Sequence, residues 1–152
     1  MAITQAEARQ QILDDLAGAN ERIAFAIACL GTAYELLSIG PADRLESELY
    51  RPVQRAYGRG KRTRIQFAER TGFEVDEYES PSPGLKSQGV KAFVERAVIA
   101  AADADRRLAD LQDSMLPVES GDAELRSGIS EVRTQLAALP GNAREFLRTL
   151  GR

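Results

Sequence analysis

The strongest constraint on the fold is a run of apolar residues at heptad spacing. Val90, Val94, Ala97, Ala101, Ala104, Leu108, Leu111 and Met115 follow one another in alternating steps of four and three. An α-helix turns once in about 3.6 residues, so such steps stay on one side of it. A seam this long is what helices use to lie along one another, and a strand would need a period of two. The spacing predicts a helix over 86–115.

The same period recurs through most of the chain. Ile23, Ile27, Leu30, Tyr34 and Leu37 mark one face of a first helix, with Ile12, Leu13 and Leu16 beginning a similar stripe. Thr4 followed by Glu7 is a capping-box pattern, and Gly40-Pro41 is a stop signal. The first helix is therefore expected over 4–38, about 50 Å long at 1.5 Å per residue. Ala24, Ala28 and Gly31 add a small-residue face, which makes its middle apolar on most sides, as in a buried or interface helix. Leu45, Leu49, Val53, Ala56, Gly60, Thr63 and Phe67 form the stripe of a second helix, 42–72, kinked near Pro52. Leu125, Ile129, Val132, Leu136 and Leu139 predict a fourth helix over 120–139. Pro140-Gly141 then breaks the chain before a short fifth helix, 142–150, whose Phe146, Leu147 and Leu150 should dock. Residues 73–84, rich in acids, Pro and Gly, read as a loop.

Four long amphipathic helices bury their apolar faces most simply in a bundle. The expectation is an all-α, single-domain chain over 1–152: a four-helix bundle with a short C-terminal fifth helix. Up-down-up-down connectivity comes first. The alternative is a long crossover between the second and third helices, as in ferritin-like bundles. Twelve loop residues reach at most about 40 Å, enough for either. The likeness to ferritin-like bundles is architectural, because their metal-binding motifs are missing.

Composition narrows the chemistry. The chain of 152 residues has no His and one Cys. Without imidazole there is no Ser-His-Asp or Cys-His catalysis within the chain, and no histidine-held zinc, haem or di-iron. One thiol makes neither an internal disulfide nor a cysteine cluster, which suits a cytoplasmic setting. The first residues lack the basic and apolar regions of a signal peptide. The apolar run 23–30 is too short to span a bilayer. A net charge of -3 gives no general attraction to nucleic acid or membranes.

That small charge hides a segregation. Six basic residues and no acid occupy 51–64, followed by Glu74, Asp76, Glu77 and Glu79. On a helix, Arg51, Arg55, Arg59 and Arg62 fall within roughly 80° of each other, a ladder about 16 Å long on the flank of the second helix. Such a ladder suits an anion: a phosphate, an RNA backbone or an acidic partner, with Tyr50 and Tyr57 available for stacking. The simpler reading pairs these arginines with Asp14, Asp15 and Glu21 of the first helix, or covers them with the acidic loop.

Glu35 follows the small-residue face and would be a buried carboxylate with Arg44 or Arg51 as partner. Asp43 with Glu46, and Asp110 with Asp113, place two acids on one helical face. All-α Mg-dependent pyrophosphohydrolases use such pairs, but with more acids than these. Asp43 suits a helix N-terminus, and the Asp110 pair should face solvent. Cys29, between Ala28 and Leu30, reads as buried and inert.

The residues therefore predict no catalytic group, metal or cofactor. They point to a non-enzymatic helical protein that acts by self-association, as a homo-oligomer, or by binding another protein. An anion- or RNA-binding module using the Arg-rich face is the alternative, with nucleic acid not favoured. A carboxylate enzyme with a divalent metal is the remaining one.

Overall fold

The computed structural model describes residues 3–77 and 82–151, and those residues contain helices and turns but no strand. The first helix, α1, spans Gln5–Glu35. Its start is the predicted capping box: the Thr4 hydroxyl accepts from the Glu7 amide, and the Glu7 carboxylate accepts from the Thr4 amide. It stops sooner than expected. Gly40 and Pro41 lie in the first turn of a new helix, α2 (Ile39–Leu45), where a missing proline N–H costs no internal bond.

The kink expected at Pro52 is a π-helical segment, Glu46–Tyr50, leading into α3 (Arg51–Thr71). Pro52 has no proton for the Glu48 carbonyl one turn back, and widening the turn relieves the clash with its ring. Asn142 Nδ2 donates to that carbonyl at 3.3 Å. Gly72 closes α3 in the left-handed conformation at φ 78°.

After a 3₁₀ turn, Lys86–Gln88, comes α4 (Val90–Asp113). Met115, at φ 66°, turns the chain away, so it is exposed and leaves the predicted seam. A one-turn helix, α5 (Leu116–Glu119), fills the expected connection. Asp122 caps α6 (Ala123–Ala137) by accepting from the Leu125 amide at 2.8 Å. Pro140 lies in the first turn of α7 (Leu139–Leu150), so it helps to start the last helix and the break falls at Ala138.

Side-chain pairs give the direction of each helix. Arg9, Arg22 and Glu35 of α1 reach the Ser120 carbonyl, Asp103 and Lys86 at 3.3, 3.4 and 2.8 Å. Numbers rise on α1 as they fall towards α4, so the two are antiparallel. Arg55, Arg59 and Arg70 of α3 meet Gln135, Glu131 and Asp122 in the same descending order. Arg133 of α6 takes Asp105 of α4 at 2.8 Å, while Ser130 accepts from Gln112 at 3.4 Å. Thus α6 opposes both α3 and α4, and α3 and α4 run the same way. The connection from Gly72 to Gly89 therefore starts near the α1 N-terminus and ends near its C-terminus. The direction therefore does not reverse between α3 and α4, as an up-down-up-down order would require. The extensive packings are α1 on α4 and α3 on α6, with α1 also lying on α3.

The second helix is buried along its whole predicted stripe, from Leu45 to Phe67. On α1 the seam lies to one side of the expected line. Ile12, Leu16, Ala19, Ile23, Ala26, Leu30 and Ala33 are each at most 2% exposed, whereas Tyr34 is 41% exposed. Phe146 is fully buried, so α7 docks as expected. No described helix is long and apolar enough to cross a membrane.

Candidate anion groove

The arginine ladder forms on α3, but only three of its rungs share a surface. Arg55, Arg59 and Arg62 line a groove of about 570 Å³ between α3 and α6. Arg51, one turn earlier, turns to Glu46 at 3.7 Å and lies outside it. The ladder thus shortens to the seven-residue rise from Arg55 to Arg62, about 10 Å.

The opposite wall is not α1. Ser127, Ser130, Glu131, Thr134 and Gln135 of α6 face the arginines. Arg59 pairs with Glu131 and also donates to Thr63 Oγ1 at 3.5 Å. Arg55 Nε reaches Gln135 Oε1 at 3.5 Å, a weak contact with a neutral group. The groove carries three guanidiniums against one carboxylate, with hydroxyls alongside. Guanidiniums and hydroxyls together supply the donors that carboxylate or phosphoryl oxygens accept.

The partners expected on the first helix are engaged elsewhere or exposed. Asp14 accepts from Gln10, and Asp15 from Gln11, each at 2.9 Å. Burial is the main cause raising the Asp15 carboxyl above its usual range. Glu21 is exposed. The place opposite the Arg face belongs to α6 rather than to the first helix.

The described residues of the acidic loop do not line the groove either. The Asp76 carbonyl accepts from Arg64 Nη1 at 3.1 Å, and Asp76 and Glu77 flank a different cavity beside Lys61 and Tyr57. Glu79 lies outside the described residues. Neither tyrosine lines the groove. Tyr57 lies under the Lys61 ammonium, 5.3 Å from ring centre to nitrogen, and Tyr50 lies near Gly31 and Glu46.

Glu35 is not buried. Its side chain is 59% exposed and paired with Lys86, because the displaced α1 seam turns the last helical turn outward. Arg44 instead donates to Thr149 and stacks on Phe146 at 5.4 Å. Asp43, Asp110 and Asp113 are exposed. Among the described residues no three acidic or cysteine side chains gather as a metal site. Cys29 is buried, and that burial pushes its thiol up to about 11.

Asn20 escaped the sequence reading. It is 2% exposed, and its Nδ2 has no hydrogen-bond partner. It occupies the space left by Gly60 of α3, where a Cβ would collide with its amide. The signal was present: Leu13, Leu16, Asn20 and Ile23 are spaced by three, four and three, and the second helix's stripe has a glycine at Gly60. Comparisons with family models, curated proteins and solved structures find no match to this chain.

Proposed function

We propose that this chain is a crossover four-helix bundle with a short fifth helix, acting as a non-enzymatic binding protein that takes an acidic segment of a partner protein in the α3–α6 groove. The observation that carries this reading is the imbalance there: Arg55, Arg59 and Arg62 meet a single carboxylate, Glu131. An acidic side chain entering the groove gains charge-assisted hydrogen bonds that Gln135 and the hydroxyls do not match. RNA suits the groove less well. Single-stranded RNA binds with bases stacked on aromatic rings, and the lining holds none. A reducing compartment such as the cytoplasm suits the one buried thiol.

Titration of a fluorescent peptide carrying three consecutive glutamates tests the groove. Saturable binding that weakens with added salt is expected, and Arg55→Ala with Arg62→Ala should lower affinity about tenfold, or 1.4 kcal/mol. Binding unchanged in the double variant removes the groove from the reading. Tighter binding of a single-stranded RNA through the same arginines replaces the acidic partner by nucleic acid.

A second reading, self-association, draws on the end of the molecule where α1 finishes. Ile39 is 83% and Leu85 74% exposed, and the Glu35–Lys86 pair ties their two segments together there. Sedimentation that stays monomeric up to millimolar concentration would dispose of it.

A further inference from the structure

A second cavity, separate from the arginine groove, lies between α1, α3 and the segment that follows α3. Its volume is about 390 Å³, within the range of about 300–1,000 Å³ that small-molecule sites span. Asn20 lines it from α1, Lys61 and Arg64 line it from α3, and Asp76 and Glu77 line it from the segment beyond. Ile65 and Val75 add an apolar wall, and Val75 also packs on the core.

The charges of that lining balance, two cations against two carboxylates. Both cations are also engaged. Lys61 lies over the Tyr57 ring, 5.3 Å from its centre, and Arg64 donates to the Asp76 carbonyl at 3.1 Å. A ligand with net charge of either sign would meet a like charge in the wall, which costs affinity. An uncharged ligand meets no such penalty.

The demand for a ligand atom comes from Asn20. Its side chain is almost wholly enclosed, and its Nδ2 protons have no acceptor. The Oδ1 side of the amide lies against Gly60 of α3, where a Cβ would collide with it. Buried donors are nearly always satisfied in folded proteins, so an orphan in the lining of a cavity marks where an acceptor oxygen belongs. The carboxylates of Asp76 and Glu77 are acceptors and call for a donor in return. Asn20 and those acids belong to different segments of the chain, so a hydroxyl would have to answer both through one atom. A carboxamide carries its acceptor oxygen and its N–H donor on separate atoms and has no charge.

We propose that this cavity binds a small uncharged carboxamide. Its carbonyl oxygen accepts from Asn20 Nδ2, its N–H faces the acidic wall, and its hydrocarbon part rests on Ile65 and Val75. The site shares no residue with the α3–α6 groove and does not depend on the function proposed for it.

The probes are benzamide, benzoate and benzamidine, which share one shape but are neutral, anionic and cationic at pH 7. Each is titrated into the ¹⁵N-labelled full chain at constant ionic strength. Benzamide should give saturable shifts of the Asn20 side-chain amide signals, and the two charged probes should bind about fivefold more weakly or not at all. Ile65→Ala, at an exposed position, should weaken benzamide about threefold by trimming the apolar wall. Asn20→Leu should abolish its binding, followed there by the backbone amides of Lys61 and Val75. Arg55→Ala in the other groove should change nothing. Shifts that do not saturate, or that are untouched by Ile65→Ala, would overturn the proposal and leave a cavity that holds water. Benzoate or benzamidine binding as tightly as benzamide would overturn it too, because charge would then not be selected against. If Asn20→Leu fails to fold, the ranking of the three probes and the Ile65→Ala titration decide.

Discussion

The Arg70 guanidinium closes on the Asp122 carboxylate with two hydrogen bonds, Nε to Oδ2 at 2.7 Å and Nη2 to Oδ1 at 2.9 Å. The same carboxylate caps α6 through the Leu125 amide. One side chain thus fixes the start of α6 and ties it to the end of α3. Replacing Asp122 by Ala removes both roles and should cost about 1–2 kcal/mol, a few degrees in Tm. Thermal melting followed by circular dichroism measures it.

The same residue gives the chain a pH signature. The Arg70 hydrogen bond, with the Leu125 amide behind it, holds the Asp122 carboxyl below the usual carboxylate range. A carboxyl acidified by folding stabilises the native state above its unfolded pKa, and that gain disappears as pH falls through the lowered folded value. The Tm difference between the parent and Asp122→Asn should therefore be full at pH 6 and shrink steadily below pH 4. A difference that stays constant to pH 2 would contradict this assignment.

Glycine-to-alanine exchanges should change sign with position. In an open helix interior the exchange gains about 0.5–1 kcal/mol. Gly31 of α1 has open space where a Cβ would go, so Gly31→Ala should stabilise by about that amount. At Gly60 the new methyl collides with Asn20, and at Gly128 with Thr63. Both variants should lose about 1–3 kcal/mol to overpacking. Urea denaturation of the three variants side by side tests the contrast.

Asn142 and Pro52 should be coupled. Asn142→Ala leaves the Glu48 carbonyl without the side-chain donor that compensates for the proline, at a cost of about 0.5–1.5 kcal/mol. In a Pro52→Ala background the backbone regains a proton for that turn. The Asn142 effect should then fall to less than half. Strict additivity in the double-variant cycle would show that the two features are unrelated.

Cys29 should be silent to thiol reagents. Its burial, the chief cause of a pKa near 11, keeps the sulfur protonated and covered at pH 8. Labelling by a disulfide reagent should proceed only at the rate of global opening and become fast in denaturant. The sign follows from the same linkage: folding favours the neutral thiol, so this contribution is intact below pH 9 and is lost towards pH 11.

Large side chains were easier to read in the sequence than small ones. The stripe from Leu45 to Phe67 was legible because Leu45, Leu49, Val53 and Phe67 stand out against charged and polar neighbours and fix the line through the smaller Ala56, Gly60 and Thr63. On α1 the true seam runs through Ala19, Ala26 and Ala33, which carry little hydropathic contrast against Ala28 or Gly31. The larger Ile27 and Tyr34 drew the expected line away from it. The arginine face was legible because spacing alone puts side chains on one side of a helix. Its partners were not, because they depend on which helix lies opposite. That is set by the direction of α4, and so by a loop long enough to allow either course. Arg51 left the ladder through a local bond to Glu46, which spacing does not reveal.

The order of the helices also bears on how the chain must be made. The two largest packings join α1 to α4 and α3 to α6, so each joins helices that are not neighbours in sequence. During synthesis α1 would wait for α4 with only α3 to lean on, and α3 would wait for α6. Neither half of the chain contains both members of either pair. Separating the chain between α3 and α4 would yield two hairpins, each lacking its main partner surfaces. They should recover native helicity only when mixed, as complementing fragments.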